Sequence, residues 1–145
     1  MKLIVGAYSQ LSAGTPAPIL EKVLAHVYKP LLTYLYKHPP LKLHLYISAF
    51  ILEWFETNHP EMNMLIADLS KKDQLELFSG GYYQPVFQII PSKDRSAQIE
   101  ELTTFIRKRF SKRPRCIWLF NQIWNPMTVS TLAMCSIERL IISTN

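Results

Sequence analysis

Leu75-Glu76-Leu77-Phe78, Lys93 to Phe110 and Cys116-Ile117-Trp118-Leu119 read in succession as strand, helix and strand. Gly80-Gly81 closes the first run, and the middle run sets Ile99, Leu102, Phe105 and Ile106 on one helical face. A strand, a crossover helix and another strand make parallel neighbours. The same alternation continues outward. Met127 to Cys135 reads as a short helix opening after Pro126, and Glu138 to Ile142 as a fifth strand. Toward the N-terminus, Leu41 to Ile47 alternates as a strand does, and Phe50 to Phe55 and Pro60 to Lys71 read as helices broken at Asn58-His59-Pro60. From Ile19 to about Lys37, Leu20, Val23, Leu24, Val27, Leu31, Leu32 and Leu35 recur at helical spacing, and Pro39-Pro40 stops the run. Pro30 inside it predicts a kink or two helical pieces. Leu3 to Tyr8 is a compact apolar first strand ended by Ser9 and Gln10. The expectation is an α/β fold over 1–145 as one domain, with about five parallel strands and crossover helices in a doubly wound sheet or a barrel. In both architectures function gathers in loops at the C-terminal strand ends.

Composition narrows the function classes. Apolar residues make up 48% and charged residues 19% of 145, enough for a packed core. The net charge of +5 gathers at Arg107, Lys108, Arg109, Lys112, Arg113 and Arg115. That is the end of a predicted helix and the loop after it, where cations suit the helix dipole, so no nucleic-acid partner is expected. Cys116 and Cys135 have no metal-ligand spacing and read as buried thiols in a reducing cytoplasm. Leu3-Ile4-Val5 after Lys2 is too short for a signal peptide. The longest apolar stretch, Leu41 to Phe55, carries Lys42, His44 and Glu53 and falls short of a membrane span. Neither metal nor cofactor is expected.

The strand-end loops hold the chemistry. Gly80-Gly81-Tyr82-Tyr83-Gln84-Pro85 follows the third strand, and Phe120-Asn121-Gln122-Ile123-Trp124-Asn125-Pro126 follows the fourth. Rings stack on the C–H faces of a pyranose while amides match hydroxyl donors and acceptors, so this mixture suits sugar recognition. The plainer alternative makes Tyr82 and Trp118 core residues and Trp124 a lid anchor.

In order and spacing these motifs resemble glycoside hydrolase family 57, whose members include α-amylases, 4-α-glucanotransferases and branching enzymes. That family has glycine-aromatic-tyrosine-glutamate-proline after its third strand, where this chain reads Gly81-Tyr82-Tyr83-Gln84-Pro85. After the fourth it has tryptophan-leucine-x-glutamate-x-x-tryptophan-x-proline, matched here by Trp118-Leu119-Phe120-Asn121-Gln122-Ile123-Trp124-Asn125-Pro126. Ile51-Leu52-Glu53-Trp54 looks like its second-strand exit, and Ile90 to Arg95 is similar to the glucanotransferase branch. The resemblance runs from about Lys2 to Ile142 and implies a partial (β/α) barrel. It further implies a substrate-binding surface of Tyr8, Gln10, Trp54, Tyr83, Gln84, Trp118, Asn121 and Trp124 facing an α-glucan or maltooligosaccharide.

The departures bear on activity. Around Tyr8-Ser9-Gln10-Leu11-Ser12 neither histidine of the family's first-strand exit is present, the third-strand glutamate is Gln84, and the nucleophile position is Asn121. Retaining hydrolysis needs two carboxyl groups about 5 Å apart, and an amide neither attacks as an anion nor transfers a proton near neutral pH. Of the 11 carboxylates only Glu53 lies near a strand exit, and no second carboxylate accompanies it there. The family's acid/base aspartate belongs to a later strand than those read here. Leu3-Ile4-Val5 and Leu140-Ile141-Ile142 would keep open strand edges unless another polypeptide carries the rest of the barrel. Three readings follow: a catalytically silent relative with a glucan-contacting surface, one component of a split enzyme, or an interaction module with no sugar role.

Overall fold

The computed structural model describes residues 5–119 and 123–142. Its internal contacts fall into two compact units, Met1–Glu76 and Leu77–Asn145.

In the first unit, β1 (Gly6–Ser9) pairs in parallel with β2 (Leu43–Ile47), with Gly6 opposite His44 and Ser9 opposite Ile47. β3 (Leu75–Leu77) completes the strand order β1-β2-β3. The first crossover is α1 (Ala17–Val23), a π-helical turn (Leu24–Tyr28) and α2 (Lys29–Lys37). The second is α3 (Ala49–Asn58) and α4 (Pro60–Lys71). Pro30 therefore stands in the first turn of the second of two α-helical pieces, which the π-helical turn joins. Proline has no N–H and its ring crowds the carbonyl four residues back, here His26. The preceding turn widens to relieve this, and the Lys29 N–H donates to the Leu24 carbonyl five residues back. Widening also shifts the buried stripe to Leu20, Leu24, Tyr28, Leu32 and Leu35, which leaves Val27 exposed at a position the spacing predicts as core. Gln74 is buried and donates through Nε2 to the Leu35 carbonyl at 2.8 Å and the His38 carbonyl at 3.3 Å, adding to the backbone hydrogen bonds that close the end of α2. On β2, Leu45, Tyr46 and Ile47 are all buried, as befits a parallel strand covered on both faces.

In the second unit, α5 (Ser92–Phe110) leads to β4 (Cys116–Trp118), then α6 (Met127–Met134) and β5 (Arg139–Ile141). β4 and β5 are parallel, and Ser79 bridges Ile117 in the same sense. A left-handed Ser111 (φ 58°) ends α5, with Arg107, Lys108 and Arg109 in its last turn as the charge pattern predicts. Phe87, Ile99, Ile117, Leu119, Leu132, Cys135 and Ile137 form the core. Both cysteines are buried thiols outside any disulfide, and burial pushes the Cys135 thiol up. Among the described residues no helix is long and apolar enough to cross a membrane.

One buried group ties β1 to its crossover. The Tyr28 hydroxyl bonds the Ser9 hydroxyl at the C-terminal end of β1, and its ring meets Phe55 edge-on at 5.1 Å. Burial pushes the Tyr28 phenol up to about 12, with the Ser9 hydrogen bond pulling the other way. A raised folded-state value means the folded chain holds its proton longer than the unfolded one. The stability tied to that proton is whole below the ordinary tyrosine value of about 10 and is lost as pH rises through about 12, with a ceiling near 2.7 kcal/mol. Urea midpoints taken between about pH 8 and 12 should fall less steeply for Tyr28→Phe than for the parent. Parallel curves would refute this.

Candidate functional site

The first unit carries Tyr8, Gln10 and Trp54. Tyr8 lies on β1 and is exposed, while Gln10 follows the strand and is half-buried. Ser48, the first residue after β2, donates its N–H to the Ser9 carbonyl at 3.3 Å, which keeps the two strand ends side by side. Its buried Oγ has no hydrogen-bond partner and does not cap α3. Trp54 is half-buried on α3, about a turn and a half past the strand end, with its ring 4.9 Å from that of His59.

The second unit carries the two motif loops. Gly81 is buried in close quarters: a Cβ there would lie 2.4 Å from Pro85 Cδ. The turn from Gly81 to Gln84 is closed by the Gln84 N–H donating to the Gly81 carbonyl at 3.1 Å, with Gln84 in the left-handed region at φ 55°. A non-glycine residue held there costs on the order of 1–3 kcal/mol, and such residues cluster at functional loops. Gln98 of α5 holds the loop by accepting twice, its backbone carbonyl from the Tyr82 N–H at 3.2 Å and its Oε1 from the Tyr83 N–H at 2.8 Å. Tyr82 turns inward, edge-on to Phe105 at 6.2 Å, and lines an open groove of about 560 Å³ beside α5. Tyr83 turns outward and is 72% exposed. The pair thus divides the work: Tyr82 packs, as the plainer alternative has it, and Tyr83 is presented to solvent.

Trp118, the last residue of β4, is half-buried, and Trp124 in the following loop is exposed. Gln88 Nε2 donates to the Ile123 carbonyl, so the third-strand loop supports the fourth-strand loop. Asn125 opens α6, its Oδ1 accepting from the Met127 N–H at 2.9 Å. Asn121 lies outside the described residues. The structure thus places Tyr83, Gln84, Trp118 and Trp124 in one unit and Tyr8, Gln10 and Trp54 in the other.

The acidic residues stand elsewhere. Glu53 is exposed on α3, Glu138 faces Arg115 at 3.3 Å, and Asp94 sits in the first turn of α5. Residues 78–91 and 119–126 contain no carboxylate. No group of three or more metal-ligating side chains occurs among the described residues. Sequence reading missed the holders Gln98, Gln88 and Tyr28, because a glutamine on a helix or loop carries no signal of what it will bond. It also missed Arg95, which is 7% exposed on the inward side of α5, with an Nε that lacks a hydrogen-bond partner.

Parallel strands joined by helices, with aromatic and amide residues in the loops that follow β3 and β4, define a (β/α) domain. The chain belongs to glycosyl hydrolase family 57, which it matches over residues 7–142. It is 33% identical to alpha-amylase 1 of Dictyoglomus thermophilum over 138 residues, 95% of this chain and 20% of that one. It is 32% identical to the 4-alpha-glucanotransferase of Thermococcus kodakarensis over 142 residues, 98% of this chain and 22% of that one. The crystal structure of the 4-alpha-glucanotransferase from Thermococcus litoralis superposes with a TM-score of 0.92 at 32% identity, covering 96% of this chain and 22% of that one. The fold class is therefore the partial (β/α) barrel that the resemblance implied, and the chain spans about a fifth of the length of these relatives.

Proposed function

We propose that this chain is a catalytically silent member of the family that contacts α-glucan through Tyr8, Gln10, Trp54, Tyr83, Gln84, Trp118, Asn121 and Trp124. The observation that carries the silence is chemical: both motif loops hold an amide, Gln84 and Asn121, where the family pattern has a glutamate. An amide can donate and accept hydrogen bonds to sugar hydroxyls, but it can neither form a glycosyl ester nor relay a proton. Recognition thus outlasts chemistry in this set of side chains. Exposed Tyr83 and Trp124 give flat apolar faces for a pyranose, and Gln84, held in the left-handed region beside Tyr83 in the chain, adds an amide to the same loop. Two buried cysteines kept as thiols fit a reducing compartment, which supports a cytoplasmic location.

Incubation of the chain with maltooligosaccharides should release no reducing sugar and yield no transfer products; either product would end the proposal of silence. Titration with maltoheptaose should change the fluorescence of Trp118 and Trp124, and no response at millimolar ligand would remove the glucan surface. In that case an interaction module with no sugar role is the reading left.

A second reading, one component of a split glucan-acting enzyme, is favoured by the strand edges. Among the described residues β1 has a single neighbour in its sheet, and Tyr8 on it and Val5 just before it are about half exposed, an unusual state for a parallel strand. A polypeptide carrying further barrel strands would cover such an edge. Co-expression with that polypeptide and with Asn121→Glu should give hydrolysis if this reading holds, and none if the chain is silent in every context.

A further inference from the structure

His59 stands between two helices and between two carboxylates. Its backbone N–H closes the end of α3 by donating to the Phe55 carbonyl at 2.8 Å, and its carbonyl accepts from the Met62 N–H at 2.9 Å to open α4. Its ring is thereby fixed at the corner of the two helices. Nε2 lies 3.0 and 3.1 Å from the two oxygens of Glu21, which comes from α1, and Nδ1 lies 3.1 Å from Glu61 of α4. Trp54 of α3 lies on the same ring at 4.9 Å, tilted by 50°.

A neutral imidazole has one N–H and one lone pair. With a carboxylate oxygen at each nitrogen, the neutral ring must aim its lone pair at one of the anions. The imidazolium donates to both, and its charge offsets them. We propose that protonated His59 is a latch joining α1 to the α3–α4 corner and holding Trp54, released by loss of one proton. The latch is local to the first unit, and although it holds Trp54 of the proposed glucan surface it does not rest on that reading. The groups facing it are Glu21 from α1, Glu61 from α4, and Lys29 at the start of α2, whose charge acts on Glu61. α3 contributes the uncharged Trp54.

The direction is fixed by the neighbours. The Glu21 hydrogen bond first, and then Glu61, hold the ring's proton above the usual histidine range against a small opposing effect of burial. The latch is therefore complete below the unfolded-state histidine value and opens as pH rises through the raised one. The His59 side chain is 22% exposed, so salt should screen the effect.

The test is an NMR titration of the His59 ring in the full chain. Its midpoint should lie above that of the urea-unfolded chain, and Glu21→Gln should lower it. The same midpoint should appear in a tryptophan fluorescence change that Trp54→Phe abolishes, because an imidazolium beside an indole quenches it. His59→Gln should flatten that change while leaving the far-UV circular dichroism intact. A His59 midpoint equal to the unfolded value, one unmoved by Glu21→Gln, or fluorescence that does not follow it would overturn the proposal.

Discussion

Phe55→Ala is expected to lower stability by roughly 3–5 kcal/mol, the range for removing a fully buried aromatic ring. Phe55 has no exposed surface, and its ring meets Tyr28 edge-on at 5.1 Å and 88° and Trp54 at 5.7 Å and 49°. Truncation removes the transfer energy of the ring and leaves a cavity that the rigid Tyr28 cannot fill. Tyr28 is pinned through its hydroxyl to Ser9, so it has little freedom to swing inward. The edge-on pair adds about 0.5–1.5 kcal/mol beyond buried area. Met64→Ala is the control, since Met64 is 72% exposed on α4 and should change stability by no more than about 0.5 kcal/mol. Urea unfolding followed by circular dichroism measures both, and a Phe55→Ala loss under about 1 kcal/mol would show that this core is not organised around the ring.

Gly81→Ala is expected to cost about 1–3 kcal/mol although it adds one methyl group, and Gly81→Val more. The new carbon would meet Pro85 Cδ at 2.4 Å and Pro85 Cγ and Phe87 Cε1 at 3.1 Å. A proline ring cannot rotate away, and Phe87 belongs to the core of the second unit. Relief must come from the turn itself, which would open the Gln84-to-Gly81 hydrogen bond and move Tyr83 and Gln84. The variant should therefore lose maltoheptaose response, if the parent has it, more than it loses stability. An alanine variant within about 0.5 kcal/mol of the parent, with its loop unmoved, would contradict the tight packing.

Element type was legible where local rules act alone. α4 begins at Pro60, which suits the first turn of a helix, and ends at Lys71 as its apolar spacing implies. The end of α5 at Phe110 and the basic turn before it were likewise legible, because cations near a helix C-terminus are a local electrostatic preference. Val27 shows the limit. Its spacing is that of a core residue, but the proline-driven widening of the turn rotates Tyr28 into the core instead. The candidate site divides in the same way. The residue types and their order after the third and fourth strands were legible, whereas the opposite orientations of Tyr82 and Tyr83 come from Gln98 and Phe105, 15 or more residues away.

What the sequence by itself determined is the alternation of strands and helices, the family, and the amides that stand where its motifs place carboxylates. Those follow from local periodicity and from the chemistry of single side chains, neither of which needs a fold to be read. Only the tertiary structure decided which tyrosine of the motif faces out, why Gly81 must lack a side chain, and that His59 is shared by Glu21 and Glu61. Each depends on groups distant in sequence meeting at bond length or van der Waals distance, and no spacing rule along the chain encodes such a meeting.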